Sequence, residues 1–61
     1  MAYRLVILGG GESGVGAALL GKQQGYDVFL SDGGSLKQAY RDKLEANGIA
    51  FEEGKHTAEL I

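Results

Sequence analysis

Apolar and polar residues fall into alternating blocks along this chain, and their spacing changes from block to block. Tyr3 to Leu8 is nearly all apolar after Arg4, the pattern of a parallel strand covered on both faces. From Ser13 to Gln24 the residues Val15, Ala18, Leu19 and Lys22 recur at helical spacing, and Gly25 supplies a stop. Asp27 to Ser31 predicts a second strand, with Asp32 at its carboxyl end. Ser35 and Gln38 fit a capping box that starts a second helix at Ser35. Leu36, Tyr40, Leu44 and Asn47 then form its buried stripe, Lys37, Arg41, Asp42 and Glu45 its solvated side, and Gly48 its left-handed stop. Ile49 to Glu53 predicts a third strand near a sheet edge. Strand, helix, strand, helix, strand with right-handed crossovers gives an α/β fold, a parallel sheet of order 3-2-1 with flanking helices. That is a partial Rossmann-like sheet, half of a larger doubly wound domain.

Length sharpens this reading. At 61 residues the chain is shorter than a common domain of ~100–150. Thr57 to Ile61 resembles the first turn of an apolar-faced helix with no stop signal, so residues 1–61 are expected to be a truncated piece of a larger domain. No charged-then-apolar leader follows Met1, and no apolar run approaches the ~20 residues needed to span a bilayer. The expected location is cytoplasmic, without membrane association. A formal charge of −2 with scattered Lys and Arg offers no basic stripe for nucleic acid, and Tyr3, Tyr26 and Tyr40 are too dispersed for base stacking. Without cysteine there is no disulfide frame, thiolate nucleophile or sulfur-ligated zinc.

The chemistry concentrates at Gly9-Gly10-Gly11-Glu12-Ser13-Gly14, between the first strand and the first helix. A glycine turn that opens a helix presents unpaired N–H groups and the positive end of the helix dipole, a site for phosphate. Gly9 serves the tight turn, Gly11 the close approach of backbone to phosphate, and Gly14 the close packing of the helix. The merely structural alternative is a glycine turn without a ligand. Asp32 follows Gly14 by 18 residues, close to the roughly 20 of a nucleotide-binding crossover, and is expected to meet a hydroxyl-bearing group beside the phosphates. Its plainer role is to cap the turn at Gly33-Gly34. Glu12 is expected to face solvent; the alternative is that it offers its backbone N–H while its side chain is directed to a sugar or base hydroxyl. Ser13 either donates to a phosphate oxygen or caps the helix. His56 follows the third strand on the ligand rim, which allows a site role, but the plainer reading is an exposed loop histidine; Arg41 reads as part of a solvated face, and no metal site is assigned.

These stretches, with Leu30-Ser31-Asp32-Gly33, Glu45-Ala46-Asn47-Gly48-Ile49 and Gly54-Lys55-His56, resemble the N-terminal domain of the D-glutamate-adding Mur ligases. These are the UDP-N-acetylmuramoyl-L-alanine:D-glutamate ligases of peptidoglycan synthesis, and the resemblance covers nearly the whole chain. It implies that backbone groups of Gly11, Glu12, Ser13 and Gly14 hold the UDP part of UDP-N-acetylmuramoyl-L-alanine and that Asp32 meets uracil, with Gly9 and Gly33 completing the expected substrate site. It further implies that ATP, Mg2+ and D-glutamate are handled by central and C-terminal domains outside these residues. No Gly-x-x-x-x-Gly-Lys-Ser/Thr stretch occurs here, so no catalytic residue is expected in this chain. Two other readings use the same glycines and acid: an NAD-binding oxidoreductase domain, and a nucleotide-sensing regulatory domain.

Overall fold

The computed structural model describes residues 3–61. Five elements follow one another: β1 (Arg4–Leu8), α1 (Glu12–Gln23), β2 (Asp27–Asp32), α2 (Gln38–Ala46) and β3 (Ala50–Glu53). The three strands form one parallel sheet with β2 in the centre. Arg4 pairs with Asp27 and Leu8 with Ser31, while Phe29 pairs with Ala50 and Asp32 with Glu53. The 3-2-1 order and the α/β class are as the sequence predicts. This register brings the carboxyl ends of all three strands to one edge, where ligands of open α/β sheets bind.

Both helices cover one face of the sheet. Val15 and Ala18 of α1, Leu44 of α2, and Leu36 and Ile49 beside α2 pack on Val28 and Leu30 of β2, with Leu5, Ile7 and Phe51 at the margins. Alternation along β2 sends Phe29 and Ser31 to the opposite face. There the chain after β3 turns back across the sheet: Thr57 binds Glu52, His56 lies against Ser31, and the Arg4 guanidinium donates to the Leu60 carbonyl and stands over the Phe29 ring.

The helices depart from the sequence reading in instructive ways. α1 turns Gly21 inward where Lys22 was expected. A Cβ on Gly21 would lie 2.6 Å from Leu5 and 3.2 Å from Val28, so the small residues Ala18 and Gly21 draw the helix onto the sheet and Lys22 moves to the exposed margin. α2 begins at Gln38 and the capping box at Ser35 does not form; Lys37 is the N-cap and no side chain caps it. Leu36 is buried in the core and donates its N–H to Glu53 Oε1 at 2.9 Å, which keeps the lead-in extended. Gln38 instead bonds Asp42 and Arg41 within the helix. Asn47, expected on the buried stripe, is an exposed C-cap whose amide donates to the Lys43 carbonyl. Gly25 and Gly48 take positive φ after α1 and α2, as their places predict. The last residues, Thr57 to Ile61, form a tight turn with bonds from Leu60 to Thr57 and from Ile61 to Ala58. Among the described residues no helix is long and apolar enough to cross a membrane.

Candidate functional site

The site grows from the end of β1. Gly9 donates to the Ser31 carbonyl at 2.8 Å, prolonging the β1–β2 ladder by one bond. Its φ of +106° then turns the chain away from the strand, a conformation that side-chain-bearing residues rarely adopt. Gly10 is buried at the bend and gives its N–H to Asp32 Oδ2 at 2.7 Å, so the glycine turn is clamped to the end of β2. A Cβ at Gly10 would strike Leu36 at 2.0 Å.

Gly11 is the N-cap of α1, with ordinary backbone angles and nothing within 4 Å of a Cβ placed on it. The helix's first bond runs from Val15 N–H to the Gly11 carbonyl at 2.9 Å, and no side chain caps the end. The N–H groups of Glu12, Ser13 and Gly14 precede that first bond, and they need a partner from outside. Ser13 is therefore not the cap; it is an exposed residue of the first turn, as is Glu12. Gly14 does serve close packing, but against the turn itself: a Cβ there would be 1.9 Å from the Gly9 carbonyl oxygen.

Asp32 has both oxygens in use. Beside the Gly10 bond, Oδ1 accepts the Gly34 N–H at 2.8 Å, which is the turn-capping role that its sequence position allows. These two N–H groups, Gly34 first and Gly10 next, hold its carboxyl below the usual range, and nearby His56 adds to the effect. Asp32 is thus an ionised bracket between two turns, with lone pairs left over on each oxygen. The structure brings Gly9, Gly11, Glu12, Ser13, Gly14, Asp32 and Gly33 to one edge of the sheet. It forms an open rim there rather than an enclosed pocket among the described residues.

Three groups beside this rim escaped the sequence reading. Arg41, expected in solvent, makes a two-pronged bond to Glu53, Nε to Oε2 at 2.7 Å and Nη2 to Oε1 at 2.9 Å. The guanidinium and then the Leu36 N–H hold the Glu53 carboxyl below its ordinary value. Glu52 is held down as well, by the Thr57 hydroxyl first and the Thr57 N–H second, with Ser31 contributing. Ser31, fully buried in the second face, has its Oγ 2.9 Å from Glu52 Oε2 and 2.7 Å from His56 Nδ1. A serine, a histidine and a carboxylate in contact invite comparison with a nucleophilic triad. Here, however, the acid touches the hydroxyl rather than the imidazole, and the hydroxyl is shut off from any substrate. The trio holds the last segment to the sheet. A serine directly after the apolar run Val28 to Leu30 is the sequence signal available for it.

The family model described as MurD N-terminal domain matches residues 4–61. The UDP-N-acetylmuramoylalanine--D-glutamate ligase of Cytophaga hutchinsonii is 54% identical over 61 residues, covering all of this chain and 14% of the relative. That of Bacteroides thetaiotaomicron is 55% identical over 58 residues, 95% of this chain and 13% of the relative. The ligase of Chlorobium chlorochromatii is 42% identical over 57 residues, 93% of this chain and 12% of the relative. The chain thus spans about a seventh of the length of the curated relatives it matches. No solved structure matches it. A glycine turn and acid alone fit several nucleotide-binding families, but with a match running from β1 through the final turn, the chain belongs to the MurD N-terminal domain family.

Proposed function

We propose that this chain is the nucleotide-holding part of a D-glutamate-adding ligase of peptidoglycan synthesis, a cytoplasmic enzyme, and that it binds the UDP moiety of UDP-N-acetylmuramoyl-L-alanine. The observation that carries this is the uncapped start of α1, held beside Asp32 by the Gly10 bond. N–H groups and the helix dipole favour a diphosphate over the turn, and the open space above Gly11 lets it approach the backbone. The spare lone pairs of Asp32 suit an imide N–H or a ribose hydroxyl one step further along the rim. The exposed Glu12 side chain is free to stay in solvent, so its charge does not oppose a phosphate. Gly33, exposed and next to Asp32, adds no side chain of its own at the base edge, where the His56 ring lies close by.

The ligase reaction itself, in which ATP activates the alanine carboxylate and the D-glutamate amine displaces phosphate, belongs to other parts of such an enzyme. The phosphate-loop lysine pattern through which an ATP site would be recognised does not occur in this sequence, and the use of ATP and Mg2+ is assigned to those other parts. This chain's contribution is to fix one end of the substrate, which turns part of the encounter at the far end into an intramolecular one.

Gly11→Val in the full-length protein tests this reading. Its Cβ meets nothing and its backbone angles suit valine, so the fold is expected to persist while the isopropyl group fills the space of the diphosphate. Isothermal titration with UDP-N-acetylmuramoyl-L-alanine should show affinity falling at least about tenfold, some 1.4 kcal/mol, with ATP affinity unchanged. Wild-type affinity in the variant would mean that the ligand does not approach this turn. Binding of NAD instead of the UDP compound would move the chain to the dinucleotide-binding reading.

A further inference from the structure

The Ser31 hydroxyl has one proton and three polar neighbours: Glu52 Oε2 at 2.9 Å, the Lys55 carbonyl at 3.3 Å and His56 Nδ1 at 2.7 Å. A carboxylate and a carbonyl can only accept. Glu52 is ionised at neutral pH, and a buried hydroxyl facing it without a proton between them would set lone pair against lone pair. The serine proton therefore points to Glu52, and the shortest of the three contacts must take its proton from Nδ1. That fixes the neutral imidazole as the Nδ1–H tautomer and leaves the lone pair on Nε2.

Nε2 has no partner among the described residues, and it faces the rim. A Cβ placed on Gly33 would lie 3.1 Å from Nε2 and 3.4 Å from Cδ2. The ring occupies the volume that a side chain of residue 33 would fill, one position after Asp32. The rim therefore has a donor end, the N–H groups of α1, and an acceptor end, made by Asp32 from β2 and an imidazole from the segment after β3. A nucleoside diphosphate has the complementary order, an anion followed by neutral O–H and N–H donors.

We infer that His56 contacts the ligand, its Nε2 accepting a hydrogen bond from an N–H or O–H of the nucleoside part of a uridine nucleotide, with Ser31 holding the ring in place. This rests on the UDP-binding reading above. Of the two roles that its sequence position allows, a site residue or a plain loop histidine, its neighbours favour the first.

The test is titration of the full-length protein with UDP, ADP being present throughout to fill the ATP site, and with inorganic pyrophosphate as the control. His56→Asn places an amide nitrogen where Nδ1 lies and keeps the bond to Ser31, but removes Nε2. UDP affinity should fall roughly three- to tenfold, the scale of one lost hydrogen bond, while pyrophosphate affinity and amide exchange in β2 stay as in wild type. In wild type, the Nε2 signal in imidazole nitrogen spectra should shift on adding UDP and not on adding pyrophosphate, which gives an answer even if the variant does not fold. Wild type that binds UDP with an unmoved Nε2 signal, or a variant that binds it equally well, overturns the inference and leaves the UDP reading standing. Equal losses for UDP and pyrophosphate, or faster exchange in β2, would reduce His56 to a structural residue. Wild type that does not bind UDP removes both.

Discussion

The two faces of the sheet are built on different physics. On the face under α1 and α2, Leu30, Leu44, Val15 and Ala18 are buried against one another, and the attraction is the apolar area removed from water. On the other face Ser31, Glu52, His56 and Thr57 are joined by short hydrogen bonds, with Phe29 beneath the Arg4 guanidinium. The first face is tolerant of chemistry and intolerant of lost volume. The second is the reverse, because each of its groups is satisfied only while its partner stays in place.

Truncating Leu44 to alanine breaks the first face most directly. It is fully buried, and the cavity should cost about 2–5 kcal/mol, a large share of a small domain's stability. Hydrogen exchange at the β2 amides in the full-length protein should accelerate accordingly; unchanged protection would mean that α2 is not what covers that face. Ser31→Ala breaks the second face with almost no change in volume. It leaves His56 Nδ1 without its partner and takes one of two bonds from Glu52 Oε2, which keeps the Thr57 N–H, and should cost about 1–3 kcal/mol. Its exchange signature should include Thr57 and the residues after β3 as well as β2. An effect spread no further than that of Leu44→Ala would deny the hydrogen-bonded face its separate identity.

Acid should separate the two faces with a smaller effect. Asp32, Glu52 and Glu53 are each held below their ordinary values when folded, so the unfolded chain binds more protons in the acid range. Their contribution is complete above the ordinary carboxylate range of roughly 4 to 4.5 and is lost as pH falls through the lower folded values. Amide protection of residues after β3 should hold from neutrality to about pH 5 and decline below it. Protection among α1 amides beyond its first turn should decline less at the same pH, whereas α2 loosens with Glu53, which holds Arg41 and the Leu36 N–H. A uniform response along the chain would refute the division.

The same contrast governs what can be read from the sequence. Strand order, the glycine turn, Asp32 at the end of β2 and the stops at Gly25 and Gly48 follow from period, punctuation and handedness, all local signals. The failures are non-local. Ser35 loses its helix start because Leu36 is wanted in the core and its N–H is taken by Glu53, 17 positions on. Arg41 leaves solvent for the same Glu53. Lys22 yields to Gly21 because helix-to-sheet distance, set by residues of other elements, decides how α1 is rotated. His56 acquires Ser31 across 25 positions, and no spacing rule within either segment encodes that pairing.

The bracket around the rim has a consequence for how the molecule comes into being. The Gly34 carbonyl accepts from Gly54, the Leu36 N–H is met by Glu53, and Ser31 is met by residues 52 to 56. A chain emerging from the ribosome thus displays its glycine turn early, while the partners that fix the opposite side arrive only with the last strand and the segment beyond it. Until residues 52 to 56 have emerged, the glycine turn and Asp32 stand without the contacts that fix the opposite side of the rim.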